Sequence, residues 1–342
     1  MSQGAKACII GVMNVSQLGE FGLIRLLDGM VHRHGSRPAD LLIDVGDDAA
    51  AWRTKDEIVL ATTDTLVENV HFLRRESTWQ DVGWKAIAVN LSDIAAMGGI
   101  PTYALVTLGL PKDTPVVAVE QLYEGMLEIA KAHDVAIVGG DVVGAPIVVV
   151  TVTLMGRLPA GRRPLRRSTA QPGELVAVTG YLGASAAALQ VLANPTGFDQ
   201  ATIAQVKDAH LRPRPRVREG QRLIDCGVRT AIDLSDGLLS DLTHVCEQSH
   251  LGARVWVERV PIHPLVAQAL GTQAIKMALT GGEDYELLFT APSAVMEVAA
   301  RGVEALVSVV GEMVSGPPQV TLLDRAGNVI EWQDGGWDHL RD

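Results

Sequence analysis

The chain is poor in cysteine, aromatic side chains, positive charge and the common nucleotide-binding fingerprints, and each shortage removes a class of function. Three cysteines in 342 residues, Cys8, Cys226 and Cys246, stand far apart with no C-x-x-C pair. They imply neither a zinc cluster nor a disulfide framework, and a reducing compartment is the expected setting. Lys and Arg number 29 against 40 Asp and Glu, a formal charge of −11. Broad nucleic-acid binding needs a basic face, so nucleic acid is not an expected partner. No G-x-G occurs, no lysine follows a glycine, and HExxH and GxSxG are missing. Rossmann, kinase glycine-loop, P-loop, zincin and hydrolase-elbow readings therefore lack support. The apolar stretch after Lys6 is marginal for a signal peptide, and no small-residue cleavage site follows it. The uncharged run 94–111 approaches a membrane span in length, but Gly98, Gly99 and Pro101 interrupt it. A cytoplasmic protein without a membrane partner is expected.

What is present describes an ordinary globular chain, 47% apolar and 20% charged. Its length suits two domains of about 150 residues each. Phe21, Ile24, Leu27 and Val31 recur at helical spacing, and Gly35 with Pro38 closes that segment. Helices are predicted over 84–97, with Asn90 and Asp93 on one face, and over 119–133. Strands are predicted over 58–63, 103–110, 135–138 and 147–155. The Arg- and Pro-rich stretch 156–173 reads as a junction. It divides a first domain, 1–160, from a second, 161–342. In the second, strands are predicted over 175–179, 231–234, 286–290 and 305–310, and helices over 183–192 and 237–246. This alternation gives an α/β or α+β class.

Carboxylates beside glycine, serine or threonine are the chemical feature that remains. They are Asp47 and Asp48 after Gly46, Asp64 after Thr62 and Thr63, Asp93, Asp141, Asp233, Asp236, and Glu283 with Asp284. Singly, each reads as a turn residue or a helix cap. Asp93 does not, because it falls inside an alanine-rich helical pattern. Residues 90–93 also echo residues 233–236, a similarity that common turn residues suffice to explain. Many carboxylates share a site only when cations screen them. Hard oxygen ligands of this kind suit Mg²⁺, which in turn suits phosphate oxygens.

Seven motifs then follow in order: Gly46-Asp-Asp-Ala-Ala50, Thr62-Thr-Asp-Thr-Leu-Val-Glu68 leading to His71-Phe72, residues 85–98 from Lys85 through Asn90-Leu-Ser-Asp93 to Gly98, Gly139-Gly-Asp141, His210-Leu-Arg-Pro213, Asp233-Leu-Ser-Asp-Gly237 and Gly281-Gly-Glu-Asp-Tyr-Glu-Leu287. With the terminal Gly336-Trp-Asp-His339, this ordered set resembles the thiamine-monophosphate kinase family of the aminoimidazole-ribotide-synthetase-like ATP-binding superfamily, from about Gly19 onward. The resemblance implies Mg²⁺- and ATP-dependent phosphorylation of thiamine monophosphate to thiamine diphosphate, by direct in-line transfer without a covalent nucleophile. It implies a two-domain fold: an N-terminal ATP- and Mg-binding domain that closes a β-barrel with a second subunit, and a C-terminal α/β domain completing the site. A homodimer is expected on that ground alone.

The same resemblance assigns Asp48, Asp64, Asp93, Asp141, Asp233 and Asp236 to several Mg²⁺ ions, with Thr62 and Thr63 adding hydroxyl or carbonyl oxygens. It assigns Gly140, Asp141, Arg167 and Ser235 to the nucleotide, with Tyr123 against the adenine, and His71, Glu283 and Trp337 to thiamine monophosphate. The chain departs from the family at Val142, Val143 and Gly144, where hydroxyl residues and an arginine are usual, and at Ala184, where an aspartate is usual. Another ATP-dependent synthetase or ligase of the superfamily, or a non-catalytic nucleotide-binding regulator, stays open at this point.

Overall fold

In the computed structural model, which describes residues 14–34 and 38–331, the first half of the chain builds one mixed sheet. Its strands are β1 (Leu41–Ile43), β2 (Ala50–Arg53), β3 (Glu57–Val67), β4 (Ile100–Leu110), β5 (Ala136–Gly144) and β6 (Val149–Pro159), in the order β1-β2-β3-β6-β4-β5. Only β4 and β5 run parallel. Side chains alternate across the pleat. Ile58, Leu60 and Leu66 of β3, Ala104, Val106 and Leu108 of β4, and Val150, Val152 and Leu154 of β6 therefore bury one face. Thr63, Thr65, Tyr103 and Leu105 leave the other face exposed. The sheet stays open within one chain, with β1 and β5 as its edges.

The second half forms a seven-stranded sheet. Its strands are β7 (Leu175–Thr179), β8 (Thr230–Asp233), β9 (Gly252–Trp256), β10 (Leu287–Ala291), β11 (Val307–Val314), β12 (Val320–Leu323) and β13 (Val329–Ile330). They follow the order β13-β12-β9-β11-β7-β10-β8, and β9 and β12 are its parallel pair. The chain is thus a two-part α/β fold with mixed sheets. Among the described residues no helix is long and apolar enough to cross a membrane.

The helix Trp79–Ala96 joins the two halves. Thr78 caps it: its hydroxyl accepts from the Asp81 amide at 3.1 Å, and the Asp81 carboxylate accepts from the Thr78 amide at 3.2 Å. That capping box explains why the helix starts five residues ahead of the predicted 84–97. One flank lies on β3 and β6, the other on β8 and the helix Val217–Asp225. Ile87, Leu91 and Ile94 of this helix share one apolar core with Ala177 and Phe289 of the second sheet. The helix Val116–Ala132 crosses it closely. A Cβ on Gly83 would sit 1.9 Å from the Leu122 carbonyl oxygen, and one on Gly125 would sit 1.9 Å from that of Gln80.

One expectation needs correcting. The strand predicted over 135–138 runs through Gly139, Gly140 and Asp141 to Gly144, so Asp141 lies within a strand and not at its end. A bulge at Val138 shifts the register, and Gly140 permits the pairing, since a Cβ there would lie 1.8 Å from the Val106 carbonyl oxygen. The echo between 90–93 and 233–236 is no structural repeat: the first segment is helical, and the second leaves a strand for a loop.

Gly125→Ala should destabilise the fold by about 1–3 kcal/mol, because the two helices must separate to admit the methyl group. Gly144, which has nothing within 4 Å of a Cβ, is the control. Urea unfolding reads both; equal midpoints for the two alanine variants would show that the crossing tolerates the added methyl.

Candidate active site

Three carboxylates from three elements meet beside a cleft of about 630 Å³. Asp48 precedes β2, Asp93 occupies the last turn of the helix Trp79–Ala96, and Asp233 ends β8. One oxygen from each lies within 4.8 Å of the others. Each is held by a donor. The Thr62 hydroxyl donates to Asp93, the Ser92 hydroxyl donates to Asp233 at 2.7 Å, and the Arg167 guanidinium pairs with Asp48. The Arg167 amide donates to neighbouring Asp47 at 3.0 Å.

This crowding moves the carboxyls. Burial first, then repulsion from Asp64, Asp233 and Asp48, pushes Asp93 well above the usual carboxylate range. Burial and then Asp48 do the same to Asp233. Burial, with Asp48 alongside, raises Asp47 to about 6. One oxygen of Asp48 is buried with no hydrogen-bond partner. Three converging carboxylates, one with an unsatisfied oxygen, fit a hard divalent cation such as Mg²⁺. A second group, Asp236, Asp241 and His244, lines the same cleft. The Asp241 carboxylate accepts from the Asp236 and Gly237 amides, each at 3.1 Å, and so fixes that loop. Burial, followed by Arg167 and Arg25, lowers His244 to about 4 and leaves its imidazole neutral at pH 7.

At the other end of the cleft stand His71 and Glu283. The His71 Nδ1 accepts from the Val67 amide at 3.1 Å. Glu283 Oε1 lies 2.6 Å from Lys85 Nζ, and Oε2 lies 3.2 Å from His210 Nδ1. His210 Nδ1 is also 2.9 Å from the Ser185 hydroxyl. Burial pushes Glu283 upward, but Lys85 and His210 outweigh it and hold the carboxyl down at about 2. The loop that carries it is locked: the Glu283 amide donates to the Ser235 carbonyl at 2.8 Å, and the Tyr285 amide to the Leu234 carbonyl at 2.9 Å.

Of the residues expected from sequence, the cleft gathers Asp64, His71, Asp93, Arg167, Asp233, Ser235, Asp236 and Glu283. Asp48 and Thr62 touch this set directly. The Thr63 hydroxyl, as distinct from its carbonyl oxygen, is turned away from the cluster: as an odd-numbered residue of β3 it sends its side chain to the opposite face, where the hydroxyl donates to the Val152 carbonyl at 3.1 Å. Gly140 and Asp141 lie on β5, three strands from Asp64 along the row Asp64–Val152–Val106–Gly140, about 14 Å at the usual strand spacing. The Asp141 carboxylate is exposed and accepts from the Val142 amide. Tyr123 packs on the first core rather than in the cleft. Trp337 lies outside the described residues. Sequence reading missed Lys85, His210, Asp241 and His244 as site residues. Lys85 and His210 carried a signal, since each opens a motif of the ordered set, and Lys85 is also a charged residue inside an apolar helical pattern, as Asp93 is.

Residues 46–158 match the family described as AIR synthase related protein, N-terminal domain, and residues 171–322 match its C-terminal domain. A thiamine-monophosphate kinase of Escherichia coli O157:H7 is 37% identical over 335 residues, covering 94% of this chain and 98% of that one. One from Bacillus subtilis (strain 168) is 38% identical over 294 residues, covering 84% and 88%. The solved structure of AaThiL complexed with AMPPCP and TMP aligns with TM-score 0.83 at 32% identity, covering 96% and 99%.

Asp93 and Asp233 stabilise the fold fully only below the unfolded value of 3.8, and lose that contribution as pH rises through their elevated folded values. At pH 7.5 in chelator, Asp93→Asn should therefore melt above the wild type, by about 2 °C or more. Mg²⁺ should raise the wild type more than the variant. Differential scanning calorimetry in the two buffers reads this, and a variant that melts below the wild type in chelator would remove the repulsion.

Proposed function

The chain belongs to the AIR synthase related family, within it to the thiamine-monophosphate kinases, and we infer that it transfers the γ-phosphoryl group of ATP to the phosphate of thiamine monophosphate, giving thiamine diphosphate and ADP. The observation that carries this reading is the single cleft that joins a three-carboxylate cluster at one end to the Glu283 pocket at the other.

Phosphoryl transfer between phosphates asks for positioning and charge neutralisation more than for a covalent nucleophile. We assign Mg²⁺ to Asp48, Asp93 and Asp233, with Asp64 and Asp236 alongside, where it supplies charge neutralisation for the ATP phosphates. Thr62 and Ser92 orient two of these carboxylates through hydrogen bonds. Arg167 is held by Asp48 and has a buried Nε without a partner, a donor for a phosphate oxygen. Ser235 belongs with it on the nucleotide side. His71 and Glu283 hold thiamine monophosphate, and Trp337 is assigned to the same substrate by resemblance. In this reading the acceptor enters from the Glu283 end and the nucleotide from the carboxylate end, so the two phosphates meet in line between them.

We place the domain division at 160/161, with the cleft between the two units, and the protein in the cytoplasm. The homodimer belongs to this reading too. β5 is exposed along nearly its whole length, with Val138 and Val142 apolar at that edge. Tyr103 and Leu105 extend the apolar surface over the outer sheet face. A second subunit closing a barrel there would cover this surface and enclose Gly140 and Asp141.

Purified protein with ATP, Mg²⁺ and thiamine monophosphate should form thiamine diphosphate, measured directly by chromatography. Asp93→Asn should lower turnover by about 10²-fold, as for loss of a few kcal/mol of transition-state stabilisation. Absence of product with the wild type overturns the assignment. Light scattering should give twice the 36.4 kDa chain mass; a monomer at micromolar concentration would remove the barrel-closing partner.

A further inference from the structure

We propose that Lys85 and His210 are positioning residues that hold Glu283 as a fixed, acceptor-only carboxylate, so that it selects a ring amino group on the substrate. This rests on the reading of the cleft as a thiamine monophosphate site, and it names the part of that molecule which Glu283 reads: the aminopyrimidine.

Lys85 is 2% exposed, in the middle of the helix Trp79–Ala96. An ammonium so buried is retained only with a compensating partner. Its partners are the Glu283 carboxylate at 2.6 Å and, more distantly, the His71 carbonyl oxygen at 3.4 Å. One cation therefore ties together the two residues assigned to the acceptor. His210, also buried, sets its Nδ1 3.2 Å from the second Glu283 oxygen and 2.9 Å from the Ser185 hydroxyl oxygen, so the single Nδ1–H is shared between these two acceptors. An ionised carboxylate offers about four lone-pair positions. Lys85 and His210 occupy one on each oxygen, which leaves further acceptor positions on a side chain that lines the cleft. With Lys85 balancing its charge, Glu283 presents hydrogen-bond acceptors without surplus negative charge. Such a group takes an N–H donor, as the exocyclic amine of the thiamine pyrimidine supplies. It rejects a carbonyl at the same ring position, because two acceptors would then meet in a desolvated site.

The test uses steady-state kinetics with thiamine monophosphate and with its analogue carrying a ring oxo group in place of the amine. The wild type should prefer the amine in kcat/KM by about 10²-fold or more. Lys85→Met should raise the KM for thiamine monophosphate about 30-fold, the size expected when one partner of a buried charge pair is removed. Its kcat and the affinity for a non-hydrolysable ATP analogue should change far less, and the amine-to-oxo preference should shrink. Against a Glu283→Gln background, Lys85→Met should add less than about a twofold further loss, because both act through one carboxylate. That double variant leaves no unpaired buried charge, so it also answers the question if Lys85→Met alone does not fold. An unchanged amine-to-oxo preference in Lys85→Met, or losses that multiply in the double variant, overturns the proposal. A wild type that cannot phosphorylate thiamine monophosphate at all overturns instead the reading beneath it.

Discussion

The convergence of Asp48, Asp93 and Asp233 is the constraint to which the rest of the site answers. At an effective dielectric of about 20, two like charges 4 Å apart repel by about 4 kcal/mol. The described donors do not cancel that charge. Thr62 and Ser92 are neutral, and the Arg167 guanidinium, paired with Asp48, offsets only one charge of the three. They fix where the oxygens point and leave the charge to be met by protons or by cations. The elevated titration of Asp93 and Asp233 is the apo form of that bargain. A divalent ion held there would release the protons, so affinity for the ion and stability of the fold would be two readings of the same repulsion.

The helix Trp79–Ala96 turns this local problem into a site with two ends. Lys85 and Asp93 are eight residues apart, or about 12 Å along a helix axis. One faces the Glu283 pocket and the other the carboxylate cluster. Helix spacing is stiff, and this helix is buried against both sheets. Close approaches secure it on either side: at Gly83, and at Gly220, where a Cβ would lie 2.0 Å from the Ala95 carbonyl oxygen. The separation between the Glu283 pocket and the carboxylate cluster is therefore set by secondary structure and not by loop conformation, which is what reactions governed by positioning require.

The same helix shows what was legible in the sequence. Its apolar pattern without proline marked it, and Asp93 stood out because no cap is needed there. Runs of apolar and β-branched residues marked β3 and β6 in the same way. β9, β12 and β13 were not legible, since short strands interrupted by Gly252, Arg254 or turn residues carry little period-2 signal. Among site residues, those at motif positions were found by resemblance. Lys85 and His210 stand in two of those motifs without an assigned role, and Asp241 stands outside them; all three act through burial and through partners that spacing along the sequence does not encode. Thr63 went the other way: the Thr-Thr-Asp motif suggests a hydroxyl or carbonyl oxygen from each threonine, but strand alternation sends the two adjacent side chains to opposite faces. Thr62 reaches Asp93, while Thr63 pairs with β6.

Backbone strain completes the account, because it falls where the acceptor is read. Glu283 and Tyr285 adopt φ values of 65° and 50°, a left-handed region costly for side chains without a special local role. Strain of this kind costs about 1–3 kcal/mol per residue and persists only where surrounding contacts over-determine it. Here those contacts are explicit. The amides of both residues are claimed by the carbonyls of Ser235 and Leu234, and Gly282 allows the approach, since a Cβ there would lie 2.4 Å from the Ser235 oxygen. The strained segment is thereby bonded to the loop that leaves Asp233 for Asp236. Glu283 is pinned by its backbone to the loop between Asp233 and Asp236 and by its carboxylate to Lys85 on the central helix. The Glu283 pocket and the carboxylate cluster are thereby tied together through two rigid connections, one along the strained loop and one along the helix.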